Sequence, residues 1–172
     1  SRRITESFNK FMYGNMGRLN IFLQAPQDFS PIGRDALPTR GAAWSLLRYL
    51  ADRDPRDDAA LWRALTDAAQ PGLNNLQDAL DQDVESWMRD WSVSLFADDY
   101  VPGLPDRFRQ PSWHDRELIA ALRPIDRRYP LRLLPISSGA GFSFRLMTGA
   151  AGYPVFAVSA GKRATVNISV TD

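Results

Sequence analysis

Apolar residues recur at helical spacing through the first two thirds of the chain. The densest stretch runs from Pro38 to Asp52, and its spacing predicts one amphipathic helix of about four turns. Pro38 suits the first turn of this helix, where a missing N–H costs no hydrogen bond. The predicted inner face is formed by Ala43, Leu46, Leu47 and Leu50, and Trp44 and Ala51 widen it.

The same spacing predicts further helices on both sides of this central one. Pro- and Gly-containing stretches separate them, which is typical of helix ends. Together they predict a helical subdomain of five to six helices over residues 1–124. The other predicted helices cover residues 1–24, about 57–69, 73–80, from Asp81 or Asp83 to about 97, and from Ser112 to Leu122.

The pattern changes after Pro124. Phe142, Phe144 and Leu146 alternate with more polar positions, which favours strands rather than helices. The chain is therefore predicted to be α+β, with a four-stranded antiparallel β meander over residues 125–172. This meander either packs on the helices or belongs to a larger β module that the chain truncates. The predicted strands are 131–136, 142–148, 153–159 and 165–171, with hairpin connectors at 137–141, 149–152 and 160–163.

The composition of the chain excludes several kinds of site and partner. The chain has no cysteine, which excludes disulfides, Cys-ligated zinc, iron–sulfur clusters and thiol catalysis. Its net charge is +1, and no basic face with interleaved aromatic residues is evident, so a nucleic-acid partner is not expected. No apolar run approaches the roughly 18–20 residues of a membrane span.

The origin of the chain is suggested by its residue usage. Arginines far outnumber lysines, which we interpret as codon drift in a GC-rich bacterial genome. The sequence starts at Ser1 within a helix-like segment and stops directly after a strand-like run. We therefore expect it to be a piece of a longer protein.

The single histidine, His114, is the natural candidate for catalysis or metal binding. Glu117 shares its predicted helix face, but a catalytic zinc site needs about three protein ligands. The residues therefore predict no metal site in this chain, and His114 is expected at the surface of a helix start. No Gly-x-Ser-x-Gly motif accompanies any serine, so nucleophilic catalysis is not predicted either.

Paired acids and exposed aromatic rings are the remaining candidates. Acid–base catalysis needs two carboxylates, and three pairs supply that number: Asp57/Asp58, Asp81/Asp83 and Asp98/Asp99. Each pair lies at a predicted helix end, where Asp is expected as a cap or for its charge. Trp87 and Trp91 lie on one apolar helix stripe and are predicted to be core. Trp113 lies in a Pro-rich loop and is the better candidate for a sugar- or peptide-binding surface, to which Tyr100 and Phe108 could also contribute.

The central helix also carries a resemblance to a known family. The run from Arg40 to Asp52, with Gly41-Ala42 and Arg48-Tyr49-Leu50-Ala51-Asp52, resembles a helix of hyicolysin-like bacterial zinc metallopeptidases, which belong to the gluzincins. The segments Phe22–Pro26, Leu61–Leu65 and Pro71–Leu76 are similar to those around that helix, as are Asp90-Trp91 with Leu95 and the predicted C-terminal strands.

The resemblance implies a non-catalytic part of an exported enzyme. In that family a His-Glu-x-x-His helix and a downstream Glu hold the zinc, and none of these residues is in this chain. The chain would be the C-terminal region of the peptidase and would form one wall of the substrate cleft. Arg40, Trp44 and Trp113 would be its substrate-binding residues. Arg40 stands where the family often has Tyr, which suggests a shift toward acidic substrates or a loss of activity.

The implied partners are the remainder of the parent polypeptide and a peptide or protein substrate, with zinc only in the parent. The implied location is extracytoplasmic: periplasmic, cell-surface or secreted. Two alternatives stay open. One is a cell-envelope binding module for a glycan or protein, without enzymatic activity. The other is a purely structural helical–β domain.

Overall fold

The computed structural model describes residues 2–122, 126–137 and 142–169. Helices follow one another as far as Leu122, and the short strands come after them. The elements are α1 (Arg2–Ser7), a π-helical segment (Phe8–Tyr13), α2 (Gly14–Leu23), α3 (Leu37–Ala51), α4 (Asp58–Thr66), α5 (Gly72–Leu80), α6 (Val84–Ala97), a 3-10 turn (Asp106–Phe108), α7 (Asp115–Leu122), β1 (Leu134–Pro135) and β2 (Pro154–Val155).

The central helix predicted over 38–52 is confirmed as α3. Pro38 occupies its first turn, and the backbone N–H of Asp52 closes its end on the carbonyl of Arg48. Helix α2 lies directly against α3, because a Cβ placed on Gly41 would lie 2.3 Å from the carbonyl carbon of Arg18. The two backbones therefore touch at a position that only glycine allows.

The core forms where α2, α3 and α6 meet. Trp91 of α6 is the largest fully buried side chain, and it stacks on Phe22 of α2 with ring centroids 5.9 Å apart. Its Nε1–H donates to the buried Ser45 hydroxyl of α3 at 3.1 Å. Burial of these apolar surfaces is the main stabilising contribution. The other core residues include Met16, Leu19, Leu23, Leu46, Tyr49, Leu50, Leu61, Val84, Leu95 and Ile119.

Two of the predicted helix caps are present. The Asp57 carboxylate accepts the Ala60 N–H at 2.8 Å, and the Asp83 carboxylate accepts the Ser86 N–H at 3.1 Å. Such bonds satisfy N–H groups that a helix start leaves open. The last helix differs from the prediction. It begins at Asp115 rather than at Ser112, and the Ser112 hydroxyl donates to Asp52, the residue that directly follows α3.

The predicted four-stranded antiparallel meander is wrong. The described residues contain one two-stranded sheet, in which Leu134 and Pro135 pair with Pro154 and Val155, and the pairing is parallel. The predicted connector at 137–141 and the end of the last predicted strand lie partly outside the described residues. The α+β description therefore gives way to a mainly helical fold with one short parallel pair.

The failure has a local physical cause. Pro135 and Pro154 have no N–H to donate and lie between the residues that bond across the pair, so they face its outer sides and oppose the addition of a further strand there. The loop around Met147 bonds to the helical part instead of to a neighbouring strand. The Met147 N–H donates to the Gln27 carbonyl at 3.1 Å, and the Ala151 N–H donates to the Pro26 carbonyl at 3.3 Å.

The C-terminal part is tied to the helices at further points. The Arg132 N–H donates to the Leu23 carbonyl at 2.8 Å, and the Tyr153 hydroxyl donates to the Ser92 carbonyl at 2.8 Å. These bonds fasten it to the ends of α2 and the side of α6. Among the described residues, no helix has the length and hydrophobicity that crossing a bilayer requires.

Candidate functional site

Titratable side chains gather where α6 ends and α7 begins. Asp98 and Asp99 directly follow α6, and His114 and Asp115 stand at the start of α7. His114 Nδ1 lies 2.9 Å from Asp99 Oδ2, which joins the two chain segments. Asp99 has a positive φ of 57°, so its backbone adopts a conformation that is uncommon outside glycine and that favours Asn and Asp.

An open pocket of about 520 Å³ lies over this junction. It combines carboxylates, an amide, a guanidinium, an imidazole and an exposed tyrosine ring. Pockets with a few convergent polar groups are the usual location of ligand sites. The polar and aromatic residues that line it are Asp98, Asp99, Tyr100, Arg109, Gln110 and His114.

Helix α3 positions the loop that forms one side of this pocket. Arg53 directly follows α3, and its Nη2 lies 2.9–3.0 Å from three carbonyl oxygens of the loop, those of Asp106, Arg107 and Arg109. The Tyr49 hydroxyl also donates to the carbonyl of Arg107, and the Arg53 guanidinium lies 3.4 Å from the centre of the Tyr49 ring. The pocket loop is therefore fixed by the central helix.

Arg116 of α7 holds the other side. It donates to the Phe96 and Asp98 carbonyls, which the end of α6 leaves open. Its guanidinium carbon lies 4.9 Å from the ring centre of Tyr100 and 4.2 Å from that of Tyr129. The cation thereby fixes Tyr100 at the edge of the pocket, while 64% of Tyr100 remains exposed.

The titratable groups of the pocket influence one another electrostatically. The hydrogen bond and charge of Asp99 raise the pKa of His114 above its usual range. Burial raises the pKa of Asp98, and the adjacent Asp99 charge adds to that effect. His114 is therefore more often protonated near neutral pH than a free histidine, and it then serves as a hydrogen-bond donor.

Asp115 is the most unusual group of the cluster. It is 5% exposed, and neither of its carboxylate oxygens has a hydrogen-bond partner. Burial, with a smaller contribution from Asp98, raises its pKa to about 7, and the adjacent Gln110 side chain opposes only part of this rise. The buried Gln110 side-chain carbonyl is also without a partner. Burying such groups unpaired costs folding free energy, and clusters of this kind are enriched at functional sites.

The structure brings two of the three residues predicted to bind substrate together and places the third in a separate contact. Trp44 of α3 and Trp113 of the pocket loop stack on each other, with ring centroids 4.0 Å apart and planes inclined by 27°. Arg40 forms a two-bond ion pair with Asp35 at 2.6 Å on the exposed surface. Trp113 is half-buried and next in sequence to His114, so it borders the pocket rather than forming a free aromatic surface.

Sequence reasoning raised several of the pocket residues separately but did not bring them together in one site. Asp98 and Asp99 were visible as a pair and His114 as the single histidine, but nothing in the sequence indicated that Asp99 and His114 meet across fifteen residues. Within the described ranges, no three His, Asp or Glu side chains are arranged to hold a metal ion. The arrangement suits hydrogen bonding with a polar ligand.

A second cavity, of about 300 Å³, lies against the middle of α6. Its walls are mostly apolar and include Phe22, Met88 and Trp91, with Glu85 and Arg89 at α6 positions facing it. It lacks the set of convergent donors and acceptors found near His114, so we treat the Asp98–His114 pocket as the candidate site.

No family model, no curated protein and no solved structure matched this chain.

Proposed function

We propose that this chain is a binding module without enzymatic activity, and that the Asp98–His114 pocket takes a polyhydroxylated ligand such as a glycan. The observation that carries the proposal is the convergence of donors, acceptors and an exposed aromatic ring in one open pocket. A glycan hydroxyl both donates and accepts hydrogen bonds, so it needs both kinds of partner.

Each pocket residue has a suitable part in this binding. Asp98 and Asp99 accept hydrogen bonds, and protonated His114 and Arg109 donate them. The Tyr100 ring offers a flat apolar surface against which the C–H face of a sugar ring can pack. Neighbouring hydroxyls on a sugar are spaced to bond a carboxylate and a cation together, which would give orientation as well as affinity.

The position of the Ser112 hydroxyl supports a binding role for the pocket over a catalytic one. Ser112 is two residues from His114, but its hydroxyl donates to Asp52 at the end of α3. Nucleophilic catalysis requires a base within hydrogen-bond reach of the nucleophile. The bond to Asp52 gives this serine a structural task, and His114 is oriented by Asp99 toward the pocket instead.

Binding can be tested with chitotriose, cellotriose and mannotriose by calorimetry and by NMR of the single histidine. We expect one of these sugars to shift the His114 ring signals, and Tyr100→Ala to weaken its binding about tenfold or more. Tyr13→Ala is the matched control, because Tyr13 is similarly exposed but lies in the π-helical segment. Undetectable binding of all three sugars, or equal loss in both variants, would contradict the proposal.

The second candidate is the cleft wall of a zinc metallopeptidase, to which the resemblance points. It is favoured by one observation: α3, the helix that carries the resemblance, holds the pocket loop through Tyr49, and Arg53 directly after it adds further bonds to the loop. The protein purified from its source distinguishes the two. A mass far above 19.4 kDa with about one zinc and peptidase activity would support the cleft wall.

A native mass near 19.4 kDa without zinc would rule out the peptidase and leave the binding module. Both candidates place the protein outside the cytoplasm, in the periplasm, at the cell surface or in the medium. Fractionation of the source bacterium would test that location directly.

A further inference from the structure

We propose that residues 142–146, here called the 142–146 segment, are a docking edge for an extended acidic segment of another polypeptide, which joins them as a β-strand. This surface is separate from the Asp98–His114 pocket. The proposal depends on three features of the segment: a backbone that pairs with no other described residue, its exposed apolar strip and the charge around it.

The backbone of the 142–146 segment is available for pairing. None of its N–H or C=O groups bonds to any other residue that the structure describes. The contrast with its neighbours is direct, because the N–H of Met147 donates to Gln27 and the N–H of Leu134 donates to Tyr153. Unpaired backbone in a β-type sequence is a template for strand addition.

The side chains form a continuous apolar strip. Phe142 is 45% exposed, Phe144 39% and Leu146 51%. The two phenyl rings lie 5.6 Å apart, and a Cβ placed on Gly152 would lie 2.3 Å from the Phe144 ring. The Phe144 ring therefore packs directly on the backbone of Gly152, and this contact fixes the position of the strip. Exposed apolar surface that is anchored in this way is typical of an interaction site.

The charge of this region indicates the chemistry of the partner. Residues 127–169 contain six basic side chains and no Asp or Glu. Arg145 lies within the 142–146 segment, is exposed, and forms no ion pair with any described residue. A strand whose apolar residues alternate with Asp or Glu would cover the strip and bring carboxylates to the cations, and opposite charges on paired strands stabilise them.

Two other occupants fit less well. A lipid surface would cover the phenyl rings but would leave the backbone N–H and C=O groups without partners, which is costly in hydrocarbon. A second copy of the chain would bring the same basic region against itself, and like charges across paired strands are destabilising. Both occupants are distinguished from an acidic strand by the experiment.

The probe is a fluorescein-labelled peptide of alternating valine and glutamate, seven residues long, followed by anisotropy with the whole chain. We expect Arg145→Glu to weaken binding about tenfold and Arg63→Glu, a matched change on α4, to leave it unchanged. Arg145→Gln, which only removes the charge, should fall between them. Hydrogen exchange of the amides of residues 142–146 should slow when the peptide binds.

Several results would overturn the proposal. These are equal binding of a valine–lysine peptide, unchanged exchange of the 142–146 amides, and undetectable binding of the glutamate peptide. Binding to phosphatidylserine vesicles without binding to the peptide would show a lipid surface instead. A stable dimer by sedimentation that Arg145→Glu does not alter would show self-association instead.

Discussion

The indole rings of Trp44 and Trp113 stack with their centroids 4.0 Å apart. One belongs to the central helix α3 and the other to the loop before α7. Both are predicted to bind substrate, and each covers part of the other. The contact therefore acts with the Ser112–Asp52 hydrogen bond to hold the pocket loop on α3.

Removing these two rings should reveal their coupling. Trp44→Ala and Trp113→Ala should each destabilise the fold, and a double-mutant cycle should give a coupling energy of about 1 kcal/mol. Urea unfolding followed by circular dichroism measures the four free energies. As a control, Trp62→Ala combined with Trp113→Ala should be additive, since Trp62 lies on α4 and makes no ring contact with Trp113.

Asp99 should control the protonation of His114. Because its hydrogen bond and charge raise the pKa of His114, Asp99→Asn should lower that pKa toward 6.5. NMR titration of the ring protons is unambiguous, since the chain has one histidine. Asp106→Asn, a change at an exposed carboxylate of the pocket loop, should leave the titration unaltered.

The sign of the linked effect on stability follows from the raised pKa. The His114–Asp99 interaction stabilises the folded state fully below the unfolded-state pKa of His114, near 6.5, and the contribution is lost as pH rises through the folded-state pKa. The wild-type protein should therefore lose this contribution at alkaline pH, whereas Asp99→Asn should show no such loss. A pKa that is the same in both proteins would contradict the assignment.

Asp115 should make the fold less stable as pH rises. Its pKa is raised from 3.8 to about 7, so the folded state holds a proton that the unfolded state releases between these values. The free energy of unfolding consequently falls across that window, and the full penalty is reached above pH 7. Asp115→Asn should remove it and stabilise the protein by on the order of 3 kcal/mol at about pH 8.

The same substitution should have little effect at about pH 4, where the wild-type carboxyl is already largely protonated when folded and partly when unfolded. Urea unfolding of both proteins at the two pH values measures the difference. Equal effects at both pH values would mean that Asp115 is not titrating in the folded protein.

Two helical glycines should respond in opposite directions to alanine. A Cβ on Gly41 would lie 2.3 Å from the backbone of Arg18 and Leu19, so Gly41→Ala should separate α2 from α3 and cost about 3 kcal/mol or more. Gly17 has nothing within 4 Å of its Cβ position, so Gly17→Ala should stabilise α2 by about 0.5–1 kcal/mol. Thermal unfolding compares them, and destabilisation by both would contradict the tight α2–α3 crossing.

The helices were predictable because their signals are local. The spacing of Leu46 and Leu50, and the caps Asp57 and Asp83, depend on residues only a few positions apart. The pairing of the C-terminal residues was not predictable, because alternation at Phe142, Phe144 and Leu146 predicts a strand but does not indicate which segment pairs with it. Pairing depends on distant segments, and the loop around Met147 bonds to Gln27 of the helical part.

For the candidate site, the sequence by itself determined which chemistry is present: one histidine, neighbouring acids after α6 and an aromatic residue beside them. Only the tertiary structure decided that His114 meets Asp99, that Asp115 is buried unpaired and that Trp44 stacks on Trp113. The physical reason is that these contacts join segments fixed independently by the packing of α3, α6 and α7. Short-range periodicity carries no information about where such segments meet.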